Sequence, residues 1–258
     1  MAAAAPAFTE LLAPPAWRSV DFISDLHLQP GEPATFEAWR RFMAATPADA
    51  VFILGDLFEV WVGDDLAAAP GFAADCAAVI AATAQRAPVF LMHGNRDFLI
   101  GEGFARACGA TLLADPAVLG FAGQRVVLTH GDALCLDDTD YMAFRAQVRD
   151  AAWQQAFLAR PAAEREALGR EMRRQSEARK REQGPEQYAD LDAAAVQAWL
   201  DAADARAMVH GHTHRPATHA LAGGRERIVL SDWDAAAQPP RLQALRLSAA
   251  GAQRIALA

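Results

Sequence analysis

The sequence predicts an α/β protein, and three observations carry the prediction. Short apolar runs of strand length, at 20–23, 50–54, 88–92, 125–128 and 207–209, recur along the chain. Between most of them lie stretches whose apolar residues repeat at helical spacing. Each run stops just before residues of ligand type: Asp25 and His27, Asp56, Asn95, His130, then His212 and His214. The loops at the carboxyl ends of strands are where α/β proteins place their sites.

The elements follow in order. Residues 18–24 carry Val20, Phe22 and Ile23, a first strand that runs into Asp25-Leu26-His27. Residues 33–45 read as a helix through Phe36, Trp39, Phe42 and Met43. A second buried strand, 50–54, leads to Gly55-Asp56, where the glycine permits a close backbone approach. Asp64 and Asp65 beyond it are expected to be loop charges or supports for a ligand. An Ala-rich helix spans 73–87, with Cys76 and Ile80 facing a core. The third strand, 88–92, ends in His93-Gly94-Asn95-Arg96-Asp97. His93 is expected to be a core histidine bonded to backbone. Arg96 presents a planar fork suited to phosphate, or else pairs with Asp97. A short helix is expected over 104–109. Residues 117–120 and 124–128 form a hairpin about Ala122-Gly123, and the second arm ends in His130-Gly131-Asp132.

From residue 137 the character changes. Tyr141, Phe144, Val148, Trp153 and Phe157 fall on one face of a helix that Pro161 breaks, with Thr139 and the aspartates before it as N-caps. A second helix over 164–182 is dense in arginine and ends at Gly184-Pro185. Its charges read either as a solvated face laced with i,i+4 pairs or as the basic side of a lid over an anionic substrate. A helix over 192–201 then leads into Val209-His210-Gly211-His212-Thr213-His214-Arg215-Pro216. In extended chain His212 and His214 point the same way. Imidazole is the commonest neutral metal ligand near pH 7. Strands near 227–230, 242–247 and 253–257 close the chain, and His219 is expected on the surface.

Composition narrows the function classes. At 258 residues, 53% of them apolar and 22% charged, the chain suits a soluble globular protein. A net charge of −8 argues against a general nucleic-acid binder, whose footprint is basic. Cys76, Cys108 and Cys135 are an odd number without CxxC spacing, as expected of free thiols in a reducing compartment. No apolar run reaches the ~18 residues of a membrane span. The expected location is cytoplasmic, with any membrane contact peripheral. Residues 1–17, rich in Ala and Pro, lack a basic residue before Arg18 and read as a loose tail. The remainder, 18–258, reads as a single domain with a helical insertion at about 137–190.

Three carboxylate or amide oxygens and a set of imidazoles exceed what one ion needs, and suit two divalent cations such as Mn²⁺. The order Asp25-Leu26-His27, Gly55-Asp56, Gly94-Asn95-Arg96-Asp97, His130 and Gly211-His212-Thr213-His214 resembles the calcineurin-like metallophosphoesterases over 20–216. The resemblance implies a sandwich of two mixed β-sheets flanked by helices. It also implies one cation on Asp25, His27, Asp56 and His214, and a second on Asp56, Asn95, His130 and His212. Most of that family has a histidine where this chain has Arg96. With Arg96, the stretches 52–65, 93–101 and 130–145 resemble one branch, the UDP-2,3-diacylglucosamine diphosphatases of lipid A synthesis.

That resemblance implies hydrolysis of the substrate's pyrophosphate bond to UMP and 2,3-diacylglucosamine 1-phosphate, beside the cytoplasmic face of a bacterial inner membrane. Asn95, Arg96 and His130 would be catalytic. Asn95, Arg96, Asp138, Tyr141, Ser176, Lys180 and His212 would touch substrate. Lys180 and Gln183 stand where the branch has an Asn and a Lys. The rival readings are a two-metal phosphoesterase of soluble nucleotides or phosphate esters, which needs no amphipathic insertion, and a non-catalytic scaffold, which would have lost ligands.

Overall fold

A computed structural model describes residues 6–183 and 190–257, with side chains except those of residues 176, 177 and 179–183. In chain order the described residues form β1 (Thr9–Leu12), β2 (Ser19–Ile23), α1 (Pro33–Ala45), β3 (Ala50–Leu54), α2 (Phe72–Ala84), β4 (Val89–Met92), α3 (Glu102–Ala107) and β5 (Thr111–Leu113). There follow β6 (Ala117–Phe121), β7 (Gln124–Leu128), α4 (Thr139–Val148), α5 (Ala151–Leu158), α6 (Ala162–Gln183), α7 (Ala193–Ala202) and β8 (Ala207–His210). The chain closes with β9 (Ala217–Leu221), β10 (Arg225–Val229), β11 (Gln243–Ser248) and β12 (Gly251–Ala256).

The strands make two mixed six-stranded sheets. One runs β12-β11-β2-β3-β4-β5 and the other β1-β6-β7-β8-β10-β9. In the first, β2 to β5 are parallel and β11 is antiparallel to β2. In the second, β7, β8 and β10 are parallel. Strand alternation sends successive side chains to opposite faces. Val20, Phe22, Phe52, Phe90 and Met92 therefore meet Leu119, Val126, Leu128, Val209 and Ile228 between the sheets. Phe52 stacks on Phe90 at 4.7 Å there.

The alternate residues face outward. Val51, Ile53, Val89 and Leu91 pack under α1 and α2 through Trp39, Met43, Cys76 and Ile80. Val118, Val127 and Met208 pack under α7 through Val196, Trp199 and Leu200. Sheets covered on both faces explain why the strands read as unbroken apolar runs. Each buried large side chain contributes about 1.5–3 kcal/mol.

Four local readings change. The expected loose tail is instead structured in its second half: β1 runs parallel to β6, with Leu11 opposite Leu119. Trp17 packs edge-on against Phe90 at 6.2 Å. β1 is only four residues long, too short for its alternation to stand out. The helix expected from 137 to 161 is two helices, because Asp150 is extended and its carboxylate accepts from Trp153 N at 2.9 Å, starting α5 anew. α3 begins and ends two residues earlier than expected. Asp64 caps it from a distant loop, accepting from Gly101 N at 2.9 Å and Phe104 N at 2.8 Å. β5 and β9, short edge strands, were not anticipated from the sequence.

Candidate metal centre

β2, β3 and β4 in one sheet and β7, β8 and β10 in the other deliver their carboxyl ends to one rim of the sandwich. Backbone bonds sew the rim. Asp25 N donates to Gly55 O at 3.1 Å, His27 N to Asp56 O at 3.0 Å, and Gly211 N to His130 O at 3.0 Å. Asp25 bridges the sheets, because its carboxylate also accepts from His212 N at 3.0 Å. Of seven non-glycine residues with positive φ among the described residues, five are Asp25, His27, Asp56, His212 and His214. Left-handed backbone costs a branched or polar residue energy, and such residues gather where packing forces them and function keeps them.

The side chains converge on two adjoining clusters. In the first, His27 Nε2 lies 3.3 Å from His214 Nε2, and His214 Nε2 lies 3.2 Å from Asp25 Oδ1. Asp56 Oδ2 stands 3.9 Å from His27 Nε2. In the second, His130 Nε2 lies 3.1 Å from Asn95 Oδ1. His212 Nδ1 is 2.9 Å from the same oxygen. Asp56 Oδ2 reaches this cluster too, 3.7 Å from His130 Nε2. The seven side chains singled out as ligands thus come together, with Asp56 between the clusters. Asp25, His27 and His214, and also Asp25, Asp56 and His130, offer ligand atoms within 4.8 Å of one another.

The electrostatics suit cations. Burial, then the neighbouring imidazole of His130, drives His212 down to about 3. Burial also takes His27 down to about 4, so both rings are neutral donors. His130 differs. Burial opposes its charge, but Asp56, Asp25 and Asp132 outweigh burial and push it up to about 9. A cation bound by the same carboxylates would take that proton's place. His130 Nδ1 bonds Leu54 O at 2.9 Å, which turns Nε2 toward the clusters. Two imidazole nitrogens 3.3 Å apart, beside carboxylates, fit a shared cation better than a bare pair of lone pairs.

The remaining motif residues surround the candidate ligands. Asp97 does not pair with Arg96. It is buried and accepts from Gly94 N at 2.8 Å and Leu57 N at 2.7 Å, tying the β3 and β4 loops together. Arg96 lines the cavity, and its Nε is buried with no hydrogen-bond partner among the described residues. His93 Nε2 bonds Ile100 O at 2.6 Å, the expected backbone role. His219 is exposed.

Helices α4 to α6 stand over this rim. Asp132, buried after β7, accepts from Tyr141 Oη at 2.6 Å and Arg145 Nε at 2.8 Å, fastening α4 beside His212. Asp138 caps α4, accepting from Tyr141 N at 3.0 Å, and both residues line the cavity. Arg165 fastens α6. It donates to Asp65 Oδ1 at 2.9 Å and to Val62 O. The arginines of α6 divide accordingly: Arg165 and Arg173 meet Asp65 and Glu59, whereas Arg170 and Arg174 pair with Glu166 and Glu171 of their own helix. One cavity of about 420 Å³ is lined both by His27, Asn95, Arg96 and His212 and by the apolar side chains of Val60, Phe98, Phe144, Trp153, Phe157 and Met172. The side chains of Ser176, Lys180 and Gln183 lie outside the described residues.

Sequence reasoning placed no role on Glu59 or Asp232. His27 Nδ1 lies 3.0 Å from Glu59 Oε2, and His214 Nδ1 lies 3.8 Å from Asp232 Oδ2. A carboxylate near the far nitrogen of each of two candidate ligand histidines is a common arrangement around metal sites.

The sequence profile of the calcineurin-like phosphoesterases matches residues 18–216. The chain belongs to that family. Membership implies divalent metal ions, and the clusters supply candidate ligands for them. Among curated relatives, the UDP-2,3-diacylglucosamine hydrolase of Chromobacterium violaceum is 47% identical over 222 residues, covering 83% of this chain and 90% of the relative. Those of Xanthomonas axonopodis pv. citri and Bordetella pertussis are each 48% identical over 225 residues, covering 82% and 84% of this chain and 90% and 87% of the relatives. A solved structure of an archaeal phosphodiesterase superposes with a TM-score of 0.48 at 12% identity, over 93% of this chain and 99% of that one. No helix among the described residues is long and apolar enough to cross a membrane.

Proposed function

We propose that this chain hydrolyses the pyrophosphate bond of UDP-2,3-diacylglucosamine, with water attacking the α-phosphorus, to release UMP and 2,3-diacylglucosamine 1-phosphate in lipid A synthesis. One observation carries the reading: the donor clusters and a set of aromatic, apolar side chains line a single cavity. Such a cavity suits a substrate that is a phosphoanhydride at one end and a pair of acyl chains at the other. The names of relatives that this chain covers over nine-tenths of their length support the same substrate.

Asp25, His27, Asp56 and His214 would hold one divalent cation, and Asp56, Asn95, His130 and His212 the other, with Mn²⁺ the expected ion. Bound cations supply Lewis acidity and a water of lowered pKa. The protein's own groups do the rest. Arg96 lines the cavity, and its guanidinium would neutralise charge growing on the phosphoryl oxygens. A histidine acid is dispensable at that position, because the leaving group is a phosphate and already stable as an anion. Asn95 and His212 hold the reacting phosphoryl group, and Asp138 and Tyr141 position the substrate beneath α4. Ser176 and Lys180 extend that contact along α6. Phe144, Trp153 and Phe157 exclude water around the acyl chains.

On this reading residues 18–258 are one catalytic domain and the insertion at about 137–190 is its lid. The exposed arginines of α6 meet anionic headgroups on the cytoplasmic face of a bacterial inner membrane. The test is purified protein with the acylated substrate in detergent, with Mn²⁺ or with chelator, and both products read by mass spectrometry. Metal-dependent release that vanishes in Asp56→Ala supports the reading. Hydrolysis of an aryl phosphate diester with no turnover of the lipid substrate would favour a soluble phosphate ester instead.

A further inference from the structure

Three of the ligand-type histidines have a polar group beside the far ring nitrogen. For His130 that is a hydrogen-bonded backbone carbonyl, and for His214 a carboxylate from the β10 loop 3.8 Å away. His27 is different, because its support reaches out of the sandwich. Its Nδ1 lies 3.0 Å from Glu59 Oε2, and the other oxygen of Glu59 is taken by Arg173 of α6. Glu59 is buried on a fixed backbone, its N donating to Leu28 O at 3.2 Å. We propose that Arg173 and Glu59 are positioning residues that couple cation binding at His27 to the seating of α6 over the site. The proposal rests on reading His27 as a metal ligand.

The chemistry is directional. The Glu59 carboxylate, 3.0 Å from His27 Nδ1, favours the tautomer that carries its proton on Nδ1 and leaves the Nε2 lone pair facing the cluster. A cation drawing on that lone pair makes the ring more positive at Nδ1–H, so its attraction to the Glu59 carboxylate strengthens. Glu59 is held at the right place by the planar guanidinium of Arg173. Coupling of this kind is reciprocal: a well-seated α6 favours the cation, and the cation favours a seated α6.

Plain electrostatics predicts the opposite sign for one variant, which makes the proposal sharp. Removing a positive side chain near a divalent cation relieves repulsion and should tighten binding. The relay predicts that removing Arg173 weakens it. The experiment titrates the full chain, without substrate, with Mn²⁺, following free Mn²⁺ by electron paramagnetic resonance. Wild type, Arg173→Gln, Arg173→Lys, Glu59→Gln and the double Gln variant are compared, with circular dichroism melts to verify folding. Arg173→Gln is expected to weaken binding about tenfold or more, the usual size for a partner of a ligand. Arg173→Lys should recover part of that loss. The double variant should bind no worse than Glu59→Gln alone, since the two act as one unit.

In hydrogen exchange, Mn²⁺ should slow the amides of residues 162–175 in wild type and leave them unchanged in Arg173→Gln. Equal or tighter Mn²⁺ binding by Arg173→Gln overturns the relay. Additive losses in the double variant overturn it as well. A wild type that binds no Mn²⁺ removes instead the ligand reading beneath it, and the two failures are told apart by that one curve.

Discussion

Gly94 lies so close to Asp56 that a Cβ built on it would stand 2.7 Å from Asp56 Cγ and closer still to Oδ1. The backbone of one metal-site loop is thus the wall against which the shared carboxylate rests. Arg96 N completes the seat by donating to Asp56 Oδ1 at 2.8 Å, which leaves Oδ2 for both clusters. Gly94→Ala alters no ligand, yet it must push Asp56 aside. Displacement of ~1 Å at a reacting site can cost about 10²-fold. The variant is expected to lose Mn²⁺ affinity and about 10²-fold in kcat with its circular dichroism spectrum unchanged, as calorimetric titration and initial rates would measure.

Arg96 meets the clusters through its backbone N–H on Asp56, which Arg96→Ala leaves in place, so the role of its side chain separates from metal binding. Loss of one donor to developing phosphoryl charge costs about 10²–10³ in kcat. Arg96→Ala is expected to show that loss with Mn²⁺ stoichiometry intact. A drop in metal content instead would assign Arg96 to holding the site together.

The chamber gives a specificity prediction. Trp153 stacks on Phe157 at 5.0 Å and faces the cavity. An aromatic surface lost from contact with an acyl chain costs about 1.5–3 kcal/mol, which is about 10–100-fold in binding. Trp153→Ala should raise KM for the diacylated substrate by about that factor. Its turnover of a short aryl phosphate diester should stay at the wild-type level. Equal losses on both substrates would mean that the helices serve only the fold.

The proton on His130 gives a pH dependence of definite sign. Its folded-state value, about 9, lies above the usual histidine value of 6.5. Without cations this group contributes stability in full below pH 6.5, and the contribution fades as pH rises to 9. A cation requires the ring neutral, so Mn²⁺ binding expels the proton, and apparent affinity strengthens over the same window. Melting curves from pH 6.5 to 9 should therefore show the stabilisation by Mn²⁺ growing with pH. A shift that is flat across that window would contradict the assignment.

Much of the candidate site was legible because its candidate ligands occupy one kind of place, the first residues after a buried strand. Short apolar runs ending in Asp25, Asp56, Asn95, His130 and His212 could be read without knowing which sheet held which strand. The same pattern gave the α/β class, since strands covered on both faces are continuously apolar. Glu59 and Asp232 were not legible. They lie two to three residues beyond strand-end motifs, and only the three-dimensional path of the loops sets them behind His27 and His214. The break between α4 and α5 was missed for a similar reason. Periodicity ran through it, and the signal that mattered was one aspartate capping Trp153. Four-residue β1 and three-residue β5 carry too few residues for alternation to show.

The central claim is that water attacks the α-phosphorus of an acylated UDP-sugar at this cluster. The most direct measurement runs the Mn²⁺-supported reaction in ¹⁸O-water with UDP-2,3-diacylglucosamine in detergent and weighs both products by mass spectrometry. The account predicts one ¹⁸O in UMP and none in the sugar phosphate. Label in the sugar phosphate would place attack at the other phosphorus. No release at all from the lipid substrate would contradict the substrate itself.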